Sequence, residues 1–414
     1  MSATKPSAPF PASAPSEPPA SPTPPKPAPS PGGPSGSTRR NVFIRVLGSD
    51  RAQPLTIAVL ALLLSIVAIA LLLLALGKNP LTAFQGLLQG SGILPKPRYA
   101  GGKSMLTDLF GLLDAMTPML FAALAIAIAF KAGLFNSGVS GQMLLSGFFA
   151  TILVGYSGLG ALAAKPLVLL VGVIVGGLVG AAVGILKARF NIHEVVSTIM
   201  LNYIFQFIVG FFIKNYFVDP ISRQSRAVSE SARLTLTNVP MGDISTRIPL
   251  CFLVALGVAV LLYFLLKKTG LGFEIRAVGA NRKAAQYAGI RSERVIIKAM
   301  ALSGCCAGLA GVTYYLGYFD TIEPGALTSV GFDSIAVALL ANSNPVACVL
   351  SSLLITTMTY GSTYMSSIAG VSAYIANLMV GIVLLFCACG AYLKYRINKR
   401  GLNHGEENSG GDVS

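Results

Sequence analysis

Residues 55–76 run for twenty-two positions without a charged side chain. An α-helix rises about 1.5 Å per residue, so roughly 20 apolar residues cross the hydrocarbon core of a bilayer. Runs of this kind recur at 112–130, 139–157, 166–187, 195–213, 248–266, 296–318, 345–361 and 372–391. A further segment, 331–342, is too short to cross alone as a straight helix. It opens on Gly331-Phe332-Asp333 and stops before Asn344-Pro345, so it reads as a broken span or a re-entrant half-helix. Irregular backbone at membrane depth is tolerated only where it faces protein or a cavity. The pattern predicts an all-α polytopic membrane protein of about ten crossings, one of them short or broken.

Composition agrees. Charged residues make up 11% of the chain and hydrophobic ones 53%, whereas a soluble domain carries about 25% charged residues. The net charge of +15 sits in short clusters between apolar runs, where it holds loops on the cytoplasmic side. No basic patch is interleaved with aromatics, so nucleic acid is not an expected partner. With both tails inside, Lys187 and Arg189, the loop 267–295 and the basic stretch Lys394–Arg400 all face the cytoplasm. The loop 214–247 falls outside although it carries Lys214, Arg223, Arg226, Arg233 and Arg247, diluted by Asp219, Glu230 and Asp243.

Residues 1–50 read as a disordered, proline-rich cytoplasmic tail ending in a basic juxtamembrane stretch; 13 of the 24 prolines fall in the first 34 positions. Such a segment cannot bury a core. The transmembrane region is expected over 51–395 and a second cytoplasmic tail over 396–414. The first forty residues lack the apolar core of a secretory signal, so 55–76 is expected to be a retained helix.

The six cysteines lie in or beside apolar runs without a CxxC pair, and the only histidines are His193 and His404; neither a metal site nor another cofactor is expected. Gly102-Lys103-Ser104 resembles the end of a phosphate loop, but Pro97 stands where its first glycine belongs and no strand precedes it. The chain is not expected to hydrolyse ATP. Gly172, Gly176, Gly180 and Gly184 repeat every fourth residue, which predicts a smooth helix face for close approach of another helix.

Polar residues inside spans are costly and deserve a functional hypothesis. Asn136 and Gln142 flank a glycine-containing break, and Asp333 begins the short segment. Both places look like broken helices whose free ends can meet a polar solute. Asn136 and Asp333 are equally readable as helix caps. Asn202 lies mid-span, where its amide must find partners. His193 and Glu194 read as a helix start, with Glu194 favoured there by the helix dipole. Phe135 and Tyr203 could stack on a flat solute or pack on neighbouring helices. In the loop 267–295, Ala284, Ala285, Tyr287 and Ala288 predict a short helix, preceded by Gly279 and ended by Gly289. It is readable either as a docking element or as an ordinary positive-inside loop.

Four stretches carry a family resemblance. The loop from Gly272 to Ile290 matches the pattern G-F-x-I-R-A-V-G-x-N-x-x-A-A-x-Y-A-G-I. Residues 129–142 are similar to A-F-R-A-G-L-F-N-I-G-x-E-G-Q, residues 193–203 to N-E-V-I-S-T-x-M-L-N-Y, and residues 331–345 to G-F-D-x-I-A-V-A-L-L-G-x-x-x-P. From about residue 50 to 395 the chain resembles ABC transporter permeases of the ribose, branched-chain amino acid and nucleoside group, closest to the nucleoside and simple-sugar branch. Lys131, Ser137, Ser140 and His193 depart from the usual Arg, Ile, Glu and Asn. The resemblance implies a type II ABC importer permease in the cell membrane, surrounded by lipid. Its partners would be two ATPase subunits, a second permease (the same or homologous) and an extracytoplasmic solute-binding protein. It also implies that Phe135, Asn136, Ser140, Gln142, Asn202, Tyr203 and Asp333 lie along the solute pathway. Coupling to the ATPase would fall to Arg276, Gly279 and Asn281, with Ala284, Ala285, Tyr287 and Gly289.

Overall fold

The computed structural model describes residues 53–99, 103–241, 244–372 and 374–389 apart from 376 and 388. The expected tails at 1–50 and 396–414, and Gly102, lie outside these residues.

The first apolar run forms α1 (Gln53–Ala75). A second helix not anticipated from sequence, α2 (Pro80–Gly90), follows at 117° to it. Asn79 accepts the Leu81 N–H on its side chain at 2.9 Å, and Pro80 takes the first helical position, where a missing N–H is harmless. At 11 residues, α2 is too short to register as a span.

Among the described residues, six helices are long and apolar enough to cross: α3 (Met105–Lys131), α5 (Ala161–Phe190), α6 (Glu194–Phe212, continued by a π turn to Phe217), α7 (Leu250–Lys268), α10 (Ser292–Thr313, continued by a π turn to Tyr318) and α12 (Pro345–Ala369). The bent α1–α2 pair makes a seventh if counted as one span. Three expected crossings are shorter. The run at 139–157 is α4 (Val139–Ala150) with a five-residue π turn to Gly155; 331–342 is α11 (Val330–Leu340); 372–391 is α13 (Asn377–Cys387). Between α7 and α10 lie two small helices, α8 (Gly270–Ala280) and α9 (Arg282–Tyr287).

The centre of the bundle is α3. Every residue from Leu120 to Ala129 has no accessible surface, and α10, α11 and α12 pack around it. Its helix starts before the apolar run, at Met105. Asp114 therefore sits well inside the helix, buried, with Oδ1 accepting the Thr235 hydroxyl at 2.7 Å. By contrast α5, α6 and α7 leave large apolar side chains such as Leu178, Phe207 and Leu253 exposed. Apolar surface on all sides of a helix suits lipid outside and helices inside.

The glycine stripe on α5 meets α10. A Cβ built on Gly176 would stand 2.7 Å from the Gly308 Cα, and one on Gly180 would stand 2.9 Å from the Gly304 Cα. Gly304 and Gly308 offer the reciprocal smooth face, so the two backbones touch.

Among the described residues, a departure from an all-α chain lies in 214–249. Strands β1 (Thr235–Met241) and β2 (Ile244–Pro249) pair antiparallel, with an irregularity between Leu236 and Val239. Their alternating β-branched residues are a strand signal that apolar run length does not register. The preceding segment crosses the ends of three helices. Arg226 N–H donates to the Phe217 carbonyl, Ser229 N–H to that of Gly155, and Leu234 N–H to that of Leu316, at 2.9, 3.0 and 2.8 Å. All three π turns thus lie at one end of the bundle, beneath this segment. The helices α8 and α9 lie at the other.

Candidate functional site

The break between α3 and α4 begins at Gly133, whose φ of +70° strains any residue with a Cβ. The chain then dips to Asn136 and turns into α4 at Gly138. Asn136 does not occupy the N-cap, which is Gly138, but its Oδ1 accepts the Gly138 N–H at 3.1 Å. Its Nδ2 donates to Gln142 Oε1 at 3.0 Å and to Ser303 Oγ at 2.9 Å. Ser303 in turn donates to the Ala125 carbonyl at 2.7 Å.

Asn202 on α6 closes the other side. Its Oδ1 accepts the Gly141 N–H, one of the free donors in the first turn of α4, and its Nδ2 donates to the Ser137 carbonyl, both at 2.9 Å. Ser140 Oγ donates to the Thr328 carbonyl at 3.0 Å, just before α11. Asn136, Ser140, Gln142 and Asn202 are all at most 2% exposed. Sequence places these side chains separately; the structure gathers them about one buried stretch of backbone, 136–142, in three sets of bonds that together form the network joining α3, α4, α6, α10 and the approach to α11. The network uses uncharged amides and hydroxyls. Each is expensive to bury alone and inexpensive when its donors and acceptors are matched.

The other expected pathway residues lie outside this network. Phe135 is half-buried and stacks on Phe130 with centroids 5.5 Å apart. Tyr203 is 53% exposed on the outward face of α6, next to Asn202 in sequence but turned away from it. Asp333 is not the cap of α11. Ser329 holds that position and Asp333 sits in the first turn, where the helix dipole favours a carboxylate. His193 is the N-cap residue of α6 but makes no side-chain cap bond; Glu194 beside it pairs with Lys187 at 2.8 Å, tying the end of α5 to the start of α6.

At the opposite end, α9 ends at Gly289 as its residues predict, but it starts behind Asn281, and Gly279, expected to precede it, lies inside α8. Asn281 Oδ1 accepts the Ala284 N–H at 3.1 Å, and Gly289 leaves the helix at φ +83°. Only some of the expected coupling residues face outward: Tyr287 is 94% exposed, and Arg276, Asn281, Ala284 and Gly289 are exposed. Ala285 points into the core of this chain, 4% exposed. Gly279 lies against the backbone of the α3–α4 break. A Cβ there would stand 3.0 Å from the Ala132 carbonyl carbon and from the Gly133 nitrogen. The break that carries the amide network is thus in direct backbone contact with α8. No sequence signal pairs positions so far apart, and for the same reason none marks Ser303 or Thr328.

Residues 109–388 match the family model described as branched-chain amino acid transport system / permease component. Among curated relatives, the guanosine ABC transporter permease protein NupP of Bacillus subtilis is 36% identical over 358 residues, 85% of this chain and 99% of the relative. The nucleoside ABC transporter permease protein NupB of Lactococcus lactis is 30% identical, covering 82% and 92%. The glucose ABC transporter permease protein TsgB13 of Haloferax volcanii is 28% identical, covering 74% and 85%. The matched region includes both the broken helices and the α8–α9 pair, and the chain belongs to this permease family as a multi-pass membrane subunit of the ABC transporter type.

Proposed function

We propose that this chain is the membrane-spanning permease of an ATP-driven importer for nucleosides. The observation that carries the reading is 36% identity to a guanosine permease over nearly the full length of that relative. The amide and hydroxyl network fits an uncharged polar solute, since it adds no fixed charge at the helix break. ATP hydrolysis belongs to separate ATPase subunits docking on α8 and α9, where Tyr287 offers an aromatic ring with almost no contact in its own chain. A second permease completes the pathway, and an extracytoplasmic binding protein delivers solute at the end capped by the hairpin. In this reading Asn136, Gln142 and Asn202 hold the break in shape, while Phe135 and Asp333 keep surface to offer the solute and Tyr203 faces outward from α6. The glucose relative supports a second reading, a simple-sugar permease. Both are separated by uptake of labelled guanosine into vesicles carrying the whole transporter. ATP-dependent guanosine uptake that glucose does not compete is expected; the reverse pattern transfers the substrate to the sugars.

The proposed orientation puts both tails and 267–295 in the cytoplasm and 214–247 outside, following the positive-inside rule. Single cysteines placed by Gln224→Cys and Lys283→Cys, in a background without reactive thiols, are expected to label from opposite sides of the membrane. Labelling of both from outside would invert the assignment of the α8–α9 end.

A further inference from the structure

At the hairpin end, the π turn of α10, the loop after it and Gln224 enclose a partly open cleft of about 110 Å³. Its walls are aromatic and polar. Tyr314 and Phe319 meet with ring centroids 5.0 Å apart at 60°, and Phe319 keeps 43% of its surface exposed. Gln224 Oε1 accepts the Thr321 hydroxyl at 2.6 Å, which leaves its amide N–H groups as donors. Glu323 is exposed in the lining and has no ion-pair partner among the described residues. Thr328 forms another wall, and its carbonyl is the one that receives Ser140 of the amide network. The cleft therefore adjoins the helix break from the outer side.

We propose that this cleft is an entry subsite for the solute, holding the flat base of a nucleoside against Tyr314 and Phe319 while Glu323 and the Gln224 amide meet its hydroxyls. The inference rests on the nucleoside reading above and names where this chain first holds that solute. The volume fits part of a solute, since a site enclosing a whole drug-sized ligand spans about 300–1,000 Å³. A planar heterocycle gains from stacking on an aromatic face, and a carboxylate is a strong acceptor for hydroxyl donors. The lining contains no Lys or Arg, so an amino-acid carboxylate would have no charged partner. A cation would find one carboxylate where it needs several oxygens.

The test is the concentration dependence of labelled guanosine uptake in vesicles carrying the whole transporter. The chain is wild-type, Phe319→Leu or Glu323→Gln, at matched amounts of assembled complex. Both changes keep side-chain volume close to the original on exposed positions. Each is expected to raise KM about ten-fold, with a smaller effect on the maximal rate. Competition by 2′,3′-dideoxyguanosine, which lacks the 2′ and 3′ hydroxyls, separates the roles: Glu323→Gln should narrow the gap between the two nucleosides, and Phe319→Leu should weaken both alike. Saturable guanosine uptake with an unchanged KM in both variants would overturn the subsite and leave the nucleoside reading intact. A wild-type transporter that takes up no nucleoside would overturn that reading and the subsite with it.

Discussion

Gly176→Leu is expected to leave little or no folded permease in the membrane. A side chain at this position must enter the backbone of α10, because the Gly308 Cα and nitrogen both stand 2.7 Å from where its Cβ would be. Backbone cannot rotate aside as a side chain can, so the two helices must separate along the whole stripe. Helices in a bilayer gain little from hiding apolar surface and associate through close packing. Their separation therefore removes most of what holds α5 to the bundle. Overpacking a core typically costs about 1–3 kcal/mol, and a clash against backbone belongs at or above the top of that range. Gly257→Ala is the contrast. Gly257 lies on α7 with nothing within 4 Å of its would-be Cβ, and Gly→Ala inside a helix favours the helix by about 1 kcal/mol. Detergent-solubilised protein followed by size-exclusion chromatography and thermal unfolding checks both. Gly176→Leu should be lost or aggregated and Gly257→Ala should melt at or above the wild-type temperature. A monodisperse Gly176→Leu protein with an unchanged melting temperature would mean that α5 and α10 do not touch in this register.

Gly279→Val is expected to abolish uptake while the chain still inserts and still co-purifies with its ATPase. The reason lies within this chain. Gly279 packs on the backbone at Ala132 and Gly133, and Gly133 holds the left-handed turn three residues before Asn136. A branched side chain must push the break, and with it the Asn136–Gln142–Asn202 network. Tyr287→Ala should behave oppositely. It removes an exposed ring, so the chain's stability should stay at wild-type level while co-purification with the ATPase falls. Comparing the two by pull-down and uptake separates a fault in docking from a fault in transmission. Wild-type uptake by Gly279→Val would mean that the α8 contact with the break carries no coupling.

The chemical reason for this division is visible in the loop itself. The sequence of 267–295 reads as one short helix between two glycines, for docking or as an ordinary basic loop; it folds as two helices, with Gly289 ending α9 and Gly279 inside α8. The family resemblance implies that Gly279 and Ala285 face the ATPase partner. The structure shows that the groove they fill is partly their own chain's. Small residues report that something comes close, and not what it is. The same holds for Asn136 and Asn202. A lone amide in an apolar run must be satisfied, and sequence says so, but an amide can be satisfied by a solute, a helix end or another amide.

Local and periodic features were settled by the sequence by itself. The apolar runs, the short segment at 331–342, the break before Gly138, the end of α9 at Gly289 and the smooth face of α5 all follow from residues within a turn or two of one another. Apolar length, φ preferences and hydrogen-bond capacity act at that range. Only the tertiary structure decided which helix meets that smooth face, that Asp114 lies inside α3 against Thr235, and that four separate polar residues form one network. It also decided that Gln224 closes a cleft with residues 314–328. Each of these is a pairing across many tens of residues, and in lipid no solvent-driven sorting marks the partners in advance. Backbone fit and the need to satisfy every buried donor and acceptor select them, and those conditions exist only once the helices are packed.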